Sequence, residues 1–239
     1  MNSKNNDAVS IIKIIFLSLG ELFAVISVIR FITEGVWTRT VLAGLTIPLL
    51  LLPMLIERLL KQKFTLPAYI LGIVYAIGPA LGHSYGLYYI LPWWDELLHF
   101  TGGAVFALLG FEISRKLCKD KASEVSIWLI ALFGLCFSIA ISALWEFAEY
   151  GTDLLLGIDM QCDTIVNSIS SYKLGPEAGI TGNITNIEEV MINGQPLGVG
   201  GYLDIGLHDT MTDMLSEFAG AVIATVIFFI RKGRSGLFQ

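Results

Sequence analysis

Charge is what this sequence has least of. Only 15% of its 239 residues are Asp, Glu, Lys or Arg, where a soluble domain typically carries about 25%. Lysine and arginine are scarcer still through the middle of the chain. None occurs between Lys63 and Arg115, and only Lys173 occurs between Lys121 and Arg231. With a net charge of -6, no basic patch is available, which excludes a nucleic-acid partner. Cysteine is rare as well. Cys118, Cys136 and Cys162 lie far apart with no CxxC spacing, which argues against a disulfide framework or a thiolate zinc site. There is no internal repeat, no Ser-His-Asp pattern and no nucleophile elbow to suggest a covalent route.

What is abundant is apolar sequence. Hydrophobic residues make up 54% of the chain and the mean hydropathy is +0.70. The apolar residues come in blocks long enough to cross a bilayer, which takes roughly 20 residues each. The expected fold is all-α: a polytopic membrane bundle of about six transmembrane helices, forming one membrane domain over residues 1–239. The spans are expected near 11–32, 41–59, 67–90, 93–113, 125–155 and 209–230. Gly78-Pro79 and Gly82 invite a kink or an early end in the third. Residues 157–207 are polar and rich in Gly, Asn and Ser, and form a long loop or cap between the last two spans. Within it, Asn193-Gly194 between short apolar runs predicts a hairpin.

Basic residues set the orientation. Arg58, Lys61 and Lys63 lie between spans two and three. Arg115, Lys116, Lys119 and Lys121 lie between spans four and five, and Arg231, Lys232 and Arg234 follow span six. With six spans all three groups fall on one side, expected to be cytoplasmic. Both termini are expected on that side too, and the long loop is expected outside.

Three stretches concentrate the acidic residues. Span four opens with Asp95 and His99, spaced i, i+4. Span five ends with Glu146, Glu149 and Asp153, spaced i, i+3, i+7. Span six opens after His208 with Asp209, Asp213 and Glu217, spaced i, i+4, i+8. Each set forms one stripe on a helix, and the topology puts all three stripes in the outer half of the membrane. His83, after span three, can join them. An ionised Asp or Glu at the centre of a membrane helix costs roughly 2.5–3.5 kcal/mol. With almost no Lys or Arg nearby, the remedies are bound cations, shared protons or a water-filled cavity. Carboxylates with histidine suit a divalent ion such as Zn, Mn or Fe, and an all-oxygen subset suits Mg. The expected ligand set is Asp95, His99, Glu146, Glu149, Asp209 and Asp213, with Asp153, His208, Glu217 and His83 as further members. The plainer readings are that Asp95 and Asp209 cap helix N-termini, that Glu149 and Asp153 are solvated at the interface, and that His99 is a packing residue. Glu112 is expected to pair with Lys116 one turn later. Ser138 and Ser142 continue the Glu146 stripe inward, either lining a path or bonding back to helix carbonyls.

The set Trp94-Asp95…His99…Gly103, Trp145-Glu146…Glu149 and Asp209-Thr210…Asp213-Met214 resembles the YjdF-like bacterial inner-membrane proteins, a family of unknown function. The likeness covers spans three to six. It implies a helical bundle in a bacterial cytoplasmic (inner) membrane and no particular activity. Three functions are compatible with the residues. One is a metal-dependent enzyme acting on a lipid or lipid-linked substrate. Another is a cation or proton-coupled transporter. The third is a non-catalytic membrane factor with a structural metal site.

Overall fold

A computed structural model describes residues 3–118, 125–231, 233 and 235–237. Among them, six helices are long and apolar enough to cross a membrane, at 7–34, 37–60, 66–84, 94–118, 127–156 and 207–230. Lys119, Lys121, Lys232 and Arg234, used above to orient the chain, lie outside the described residues. The chain divides into two compact units, one of residues 1–145 and 213–239 and the other of residues 146–212.

The first unit is helical. Helix α1 spans Ser3–Glu34, α2 Trp37–Leu50 and α3 Leu52–Leu60. Pro53 in the first turn of α3 suits its own helix but cannot donate back to α2. Lys61, at φ 51, closes α3 in a left-handed cap. Helix α4, Leu66–Pro79, begins with Pro67 in its first turn and runs into a π-helical turn, Ala80–Ser84. The third span thus ends about six residues earlier than the hydropathy suggested, at Ser84 rather than Ile90. Pro79 withholds an N–H and Gly86, at φ 73, turns the chain before the short helix α5, Leu87–Ile90. Helix α6 is Trp94–Cys118, α7 is Ile127–Leu156 and α8 is Leu207–Ile230.

Two apolar clusters hold this unit. One joins Ala24, Leu50, Tyr69, Ile73 and Leu109 with Phe64 and Leu237. The other joins Ala107 and Phe111 of α6 with Ile130 and Ala131 of α7 and Ala221, Ala224 and Phe228 of α8. The Phe111 and Phe228 rings meet with centroids 4.1 Å apart. Glycines set the closeness of α6, α7 and α8. A Cβ at Gly110 would press on the Gly134 backbone, and one at Gly220 would overlap the Phe100 carbonyl, the close approach that small residues permit between membrane helices. By contrast α1 leaves Ile11, Ile14, Leu19 and Leu22 more than half exposed, as expected of a surface against lipid.

At the C-terminal end of α6 the pairing differs from the sequence expectation. Glu112 binds Arg115, Nη1 to Oε1 at 3.1 Å, rather than Lys116, and also accepts from the Ser235 hydroxyl. Arg115 reaches the Gly233 carbonyl as well. The returning tail brings in partners that no i, i+4 rule anticipates. The tail continues to Leu237, whose carbonyl accepts from Thr65 N at 2.9 Å.

The second unit holds the last turns of α7, the polar loop and the first turn of α8. Gly157, at φ 62, ends α7. Three two-stranded antiparallel pairs follow: β1 (Thr164–Val166) with β6 (Tyr202–Asp204), β2 (Ser168–Ser171) with β3 (Gly182–Thr185), and β4 (Met191–Ile192) with β5 (Gln195–Pro196). The expected hairpin is the last of these. Its Asn193 and Gly194 both take positive φ, 52 and 80, as a two-residue type I′ turn requires. Asn167 Nδ2 ties the loop together by donating to the carbonyls of Ile187, at 2.9 Å, and Gly200, at 3.2 Å.

Candidate metal centre

Asp95 and His99 stand in the first two turns of α6, and Asp213 and Glu217 in the second and third turns of α8. The two helices bring all four together. His99 Nε2 lies 3.5 Å from Asp213 Oδ2 and 3.7 Å from Asp95 Oδ1. On the other edge of the ring, Nδ1 lies 3.7 Å from Glu217 Oε2. His99, Asp213 and Glu217 are buried, each no more than 4% exposed. Asp95 is partly buried and accepts a hydrogen bond from the Tyr88 hydroxyl.

The local sequence explains this placement. Gly103, one turn after His99, has no room for a Cβ, which would overlap the Glu217 carbonyl. The α6 and α8 backbones therefore touch beside the histidine. Trp94 Nε1 donates to the Gly78 carbonyl at 3.2 Å, pinning the start of α6 to the end of α4. Gly82 has no side chain because the Tyr88 ring fills that space. The π-helical turn thereby delivers Tyr88 to Asp95.

One ligand atom each from Asp95, His99 and Asp213 fall within 4.8 Å of one another. Zinc binds His nitrogen and carboxylate oxygen at about 2.0–2.2 Å, so tetrahedral ligands lie about 3.3–3.6 Å apart. Of the separations from Nε2, 3.5 Å falls in that range and 3.7 Å just above it. An octahedral magnesium site, with bonds of about 2.0–2.1 Å, would bring neighbouring ligands to about 3 Å. Neither separation is a hydrogen bond, which needs about 2.7–3.2 Å. Glu217 Oε1 is buried and has no hydrogen-bond partner among the described residues.

Glu146 and Glu149, one turn apart on α7 and no more than 5% exposed, belong to the second unit, as does Asp209 in the first turn of α8. Glu149 is therefore buried rather than solvated. Asp153 shapes the backbone instead. Its Oδ1 accepts from Met160 N at 2.5 Å and its Oδ2 from Gln161 N at 2.9 Å, so it folds the chain leaving α7. Gln161 Nε2 in turn donates to Thr210 Oγ1 at 2.5 Å. His208 is exposed, with its backbone N–H donating to Asp204 Oδ2 at 2.7 Å. His83 packs edge-on against Tyr88 with centroids 4.6 Å apart. No metal-sized grouping among the described residues includes Asp153, His208 or His83. Ser138 bonds across helices, to the Gly103 carbonyl at 3.0 Å, rather than back to its own helix. Ser142 is buried with no hydrogen-bond partner among the described residues.

Tyr88 was not anticipated. It lies seven residues before Asp95 in an aromatic segment, and only the π-helical turn aims it. The outer loop also holds an acidic group. Asp159 and Asp163 are both pushed above the usual carboxylate range. Desolvation is the largest cause for each, followed for Asp159 by the charges of Asp163 and Asp153, and for Asp163 by those of Asp153 and Asp204.

Residues 13–234 match the model of a family described as "Predicted membrane protein (DUF2238)". The chain belongs to that family. No curated protein and no solved structure matches it. The family description agrees with the six apolar helices and names no reaction, ligand or partner, so any function must be argued from the residues of the centre itself.

Proposed function

We propose that this member of the DUF2238 family is a membrane-embedded, metal-dependent enzyme acting on a lipid or lipid-linked substrate. Asp95, His99 and Asp213 hold one divalent ion, with zinc favoured by the ligand types and spacing. The observation that carries the reading is the buried His99 Nε2 standing 3.5 and 3.7 Å from two carboxylates. Three protein ligands with a fourth position left for water or substrate is the pattern of a catalytic zinc site, whereas structural sites are closed by four. A metal there supplies a polarised phosphoryl or carbonyl group and a water of lowered pKa. The protein's part is to fix the ligands between packed helices and to keep the polar site inside the membrane domain.

The distribution of Lys and Arg supports cytoplasmic termini. It supports placing the centre in the outer half of the membrane. The reading rests on residues of the first unit alone. To test it, the full chain is reconstituted in proteoliposomes with lipid phosphate esters and acyl esters, and cleavage is followed with and without zinc. Zinc-dependent cleavage that disappears in Asp213→Asn is expected. Cation flux without cleavage, lost in the same variant, would overturn the reading in favour of a transporter. Bound zinc with neither activity would overturn it in favour of a structural site.

A further inference from the structure

The two edges of the His99 ring face different partners, and this separates their roles. Nε2 faces Asp95 and Asp213, while Nδ1 faces Glu217 at 3.7 Å. An ion held by Nε2 lies on the opposite edge of the imidazole from Glu217, so Glu217 cannot complete the same coordination sphere through that ring. A neutral imidazole has one N–H and one lone pair. When the Nε2 lone pair is given to a metal, the proton sits on Nδ1 and points at Glu217.

Two further observations fit an orienting carboxylate. Glu217 is only 2% exposed, and while its Oε2 faces Nδ1, its Oε1 has no hydrogen-bond partner among the described residues. Its position is also fixed from the backbone. Cβ atoms at Gly103 and Gly220 would collide with the carbonyls of Glu217 and Phe100, so α6 and α8 are in backbone contact beside the His99–Glu217 pair. Metal-bound histidines ordinarily donate their second N–H to such a group, which fixes the tautomer and strengthens the ligand.

We infer that Glu217 is a positioning residue: its carboxylate accepts the Nδ1–H of His99 and presents Nε2 to the metal, without binding the metal itself. This rests on the metal reading above. The 3.7 Å separation closes to hydrogen-bond length when the ion binds, since such contacts tighten on loading.

The test uses full-length protein in nanodiscs. His83, His99 and His208 are its only histidines, so nitrogen-15 histidine spectra are tractable. In zinc-loaded wild type, His99 is expected to be metallated at Nε2 and protonated at Nδ1, with a strongly downfield N–H signal. Glu217→Gln, which keeps shape and loses charge, should retain one equivalent of zinc, bind it about 10–100-fold more weakly and lose that signal. Glu217→Asp should recover part of the affinity. Zinc on Nδ1, unchanged affinity in Glu217→Gln, or complete loss of zinc from a folded Glu217→Gln would each overturn the inference. If the variant does not fold, the wild-type tautomer decides alone. A wild type without stoichiometric zinc would instead overturn the metal reading itself.

Discussion

The first unit buries carboxylates at both ends of α4, and treats them in opposite ways. Near its start, Glu57 is surrounded by donors. Lys13 Nζ reaches Glu57 Oε1 at 2.7 Å and the Phe64 carbonyl at 2.7 Å, and Phe64 N donates to the same Oε1 at 2.9 Å. Lys63 adds a contact to Oε2 at 3.2 Å, and the Lys13 ammonium lies 5.0 Å from the Tyr69 ring centre. Near the other end, about 20 Å along a 14-residue helix, Asp95, Asp213 and Glu217 lie around one histidine. The first arrangement is complete and holds helices together. The second gathers acids on a histidine, an arrangement that a bound cation would balance. The lesson is that a buried acid is informative about function only after its partners have been counted.

The largest effect should come from breaking the complete node. Lys13→Ala leaves Glu57 buried without its main cation, and losing one partner of a buried pair costs about 3–5 kcal/mol. The low end, about 3 kcal/mol, is expected because Phe64 N and Lys63 remain. Thermal unfolding in detergent measures it, and zinc binding should be unchanged. A loss of zinc in this variant would erase the contrast between the two ends.

The second prediction sharpens the other side. Gly103→Ala forces a methyl group against the Glu217 carbonyl, and overpacking of this kind costs about 1–3 kcal/mol. It should also weaken zinc binding, because the strain falls on the helix contact beside His99. Calorimetric titration of the purified variant checks both. A smaller effect still is expected from Lys63→Ala. That side chain is 72% exposed, and exposed ion pairs contribute about 0–1 kcal/mol.

One side of this contrast was legible in the sequence and the Lys13–Glu57 pair was not, and the reasons are physical. The six spans could be drawn because lipid demands long apolar runs. Asp95 and His99, and Asp213 and Glu217, could be paired because i, i+4 spacing fixes a helix face. The Asn193-Gly194 hairpin followed from turn chemistry. What could not be read was any contact made by chain return. The tail residue Ser235 meets Glu112 from far along the sequence, and Asp153 turns out to hold backbone N–H groups. Nor could spacing tell which edge of His99 each acid would face, because that depends on the rotation of α8 against α6. The early end of the third span was signalled by Gly78-Pro79, but its consequence, aiming Tyr88 at Asp95, was not.

The mildest prediction concerns the outer loop, whose acids are neither matched by a cation nor gathered on a histidine. Asp159 and Asp163 have folded-state pKa values raised above the ordinary 3.8. A raised carboxyl binds its proton more tightly in the folded state, so it adds stability at acid pH that is lost as pH rises through the raised value. Hydrogen-exchange protection of residues 157–206, corrected for intrinsic rates, should therefore be higher near pH 4 than at pH 7. Asp159→Asn with Asp163→Asn should flatten that dependence. Protection that instead rises toward pH 7 in wild type would contradict the assignment.

The claim at the centre of this account is that the acids around His99 hold a divalent ion. Elemental analysis of the full chain, purified without chelator and dialysed against zinc, tests it most directly. One equivalent of metal is expected in wild type, with none retained in His99→Ala or Asp213→Asn while both remain folded. A wild type with no bound metal, or variants that keep a full equivalent, would contradict it.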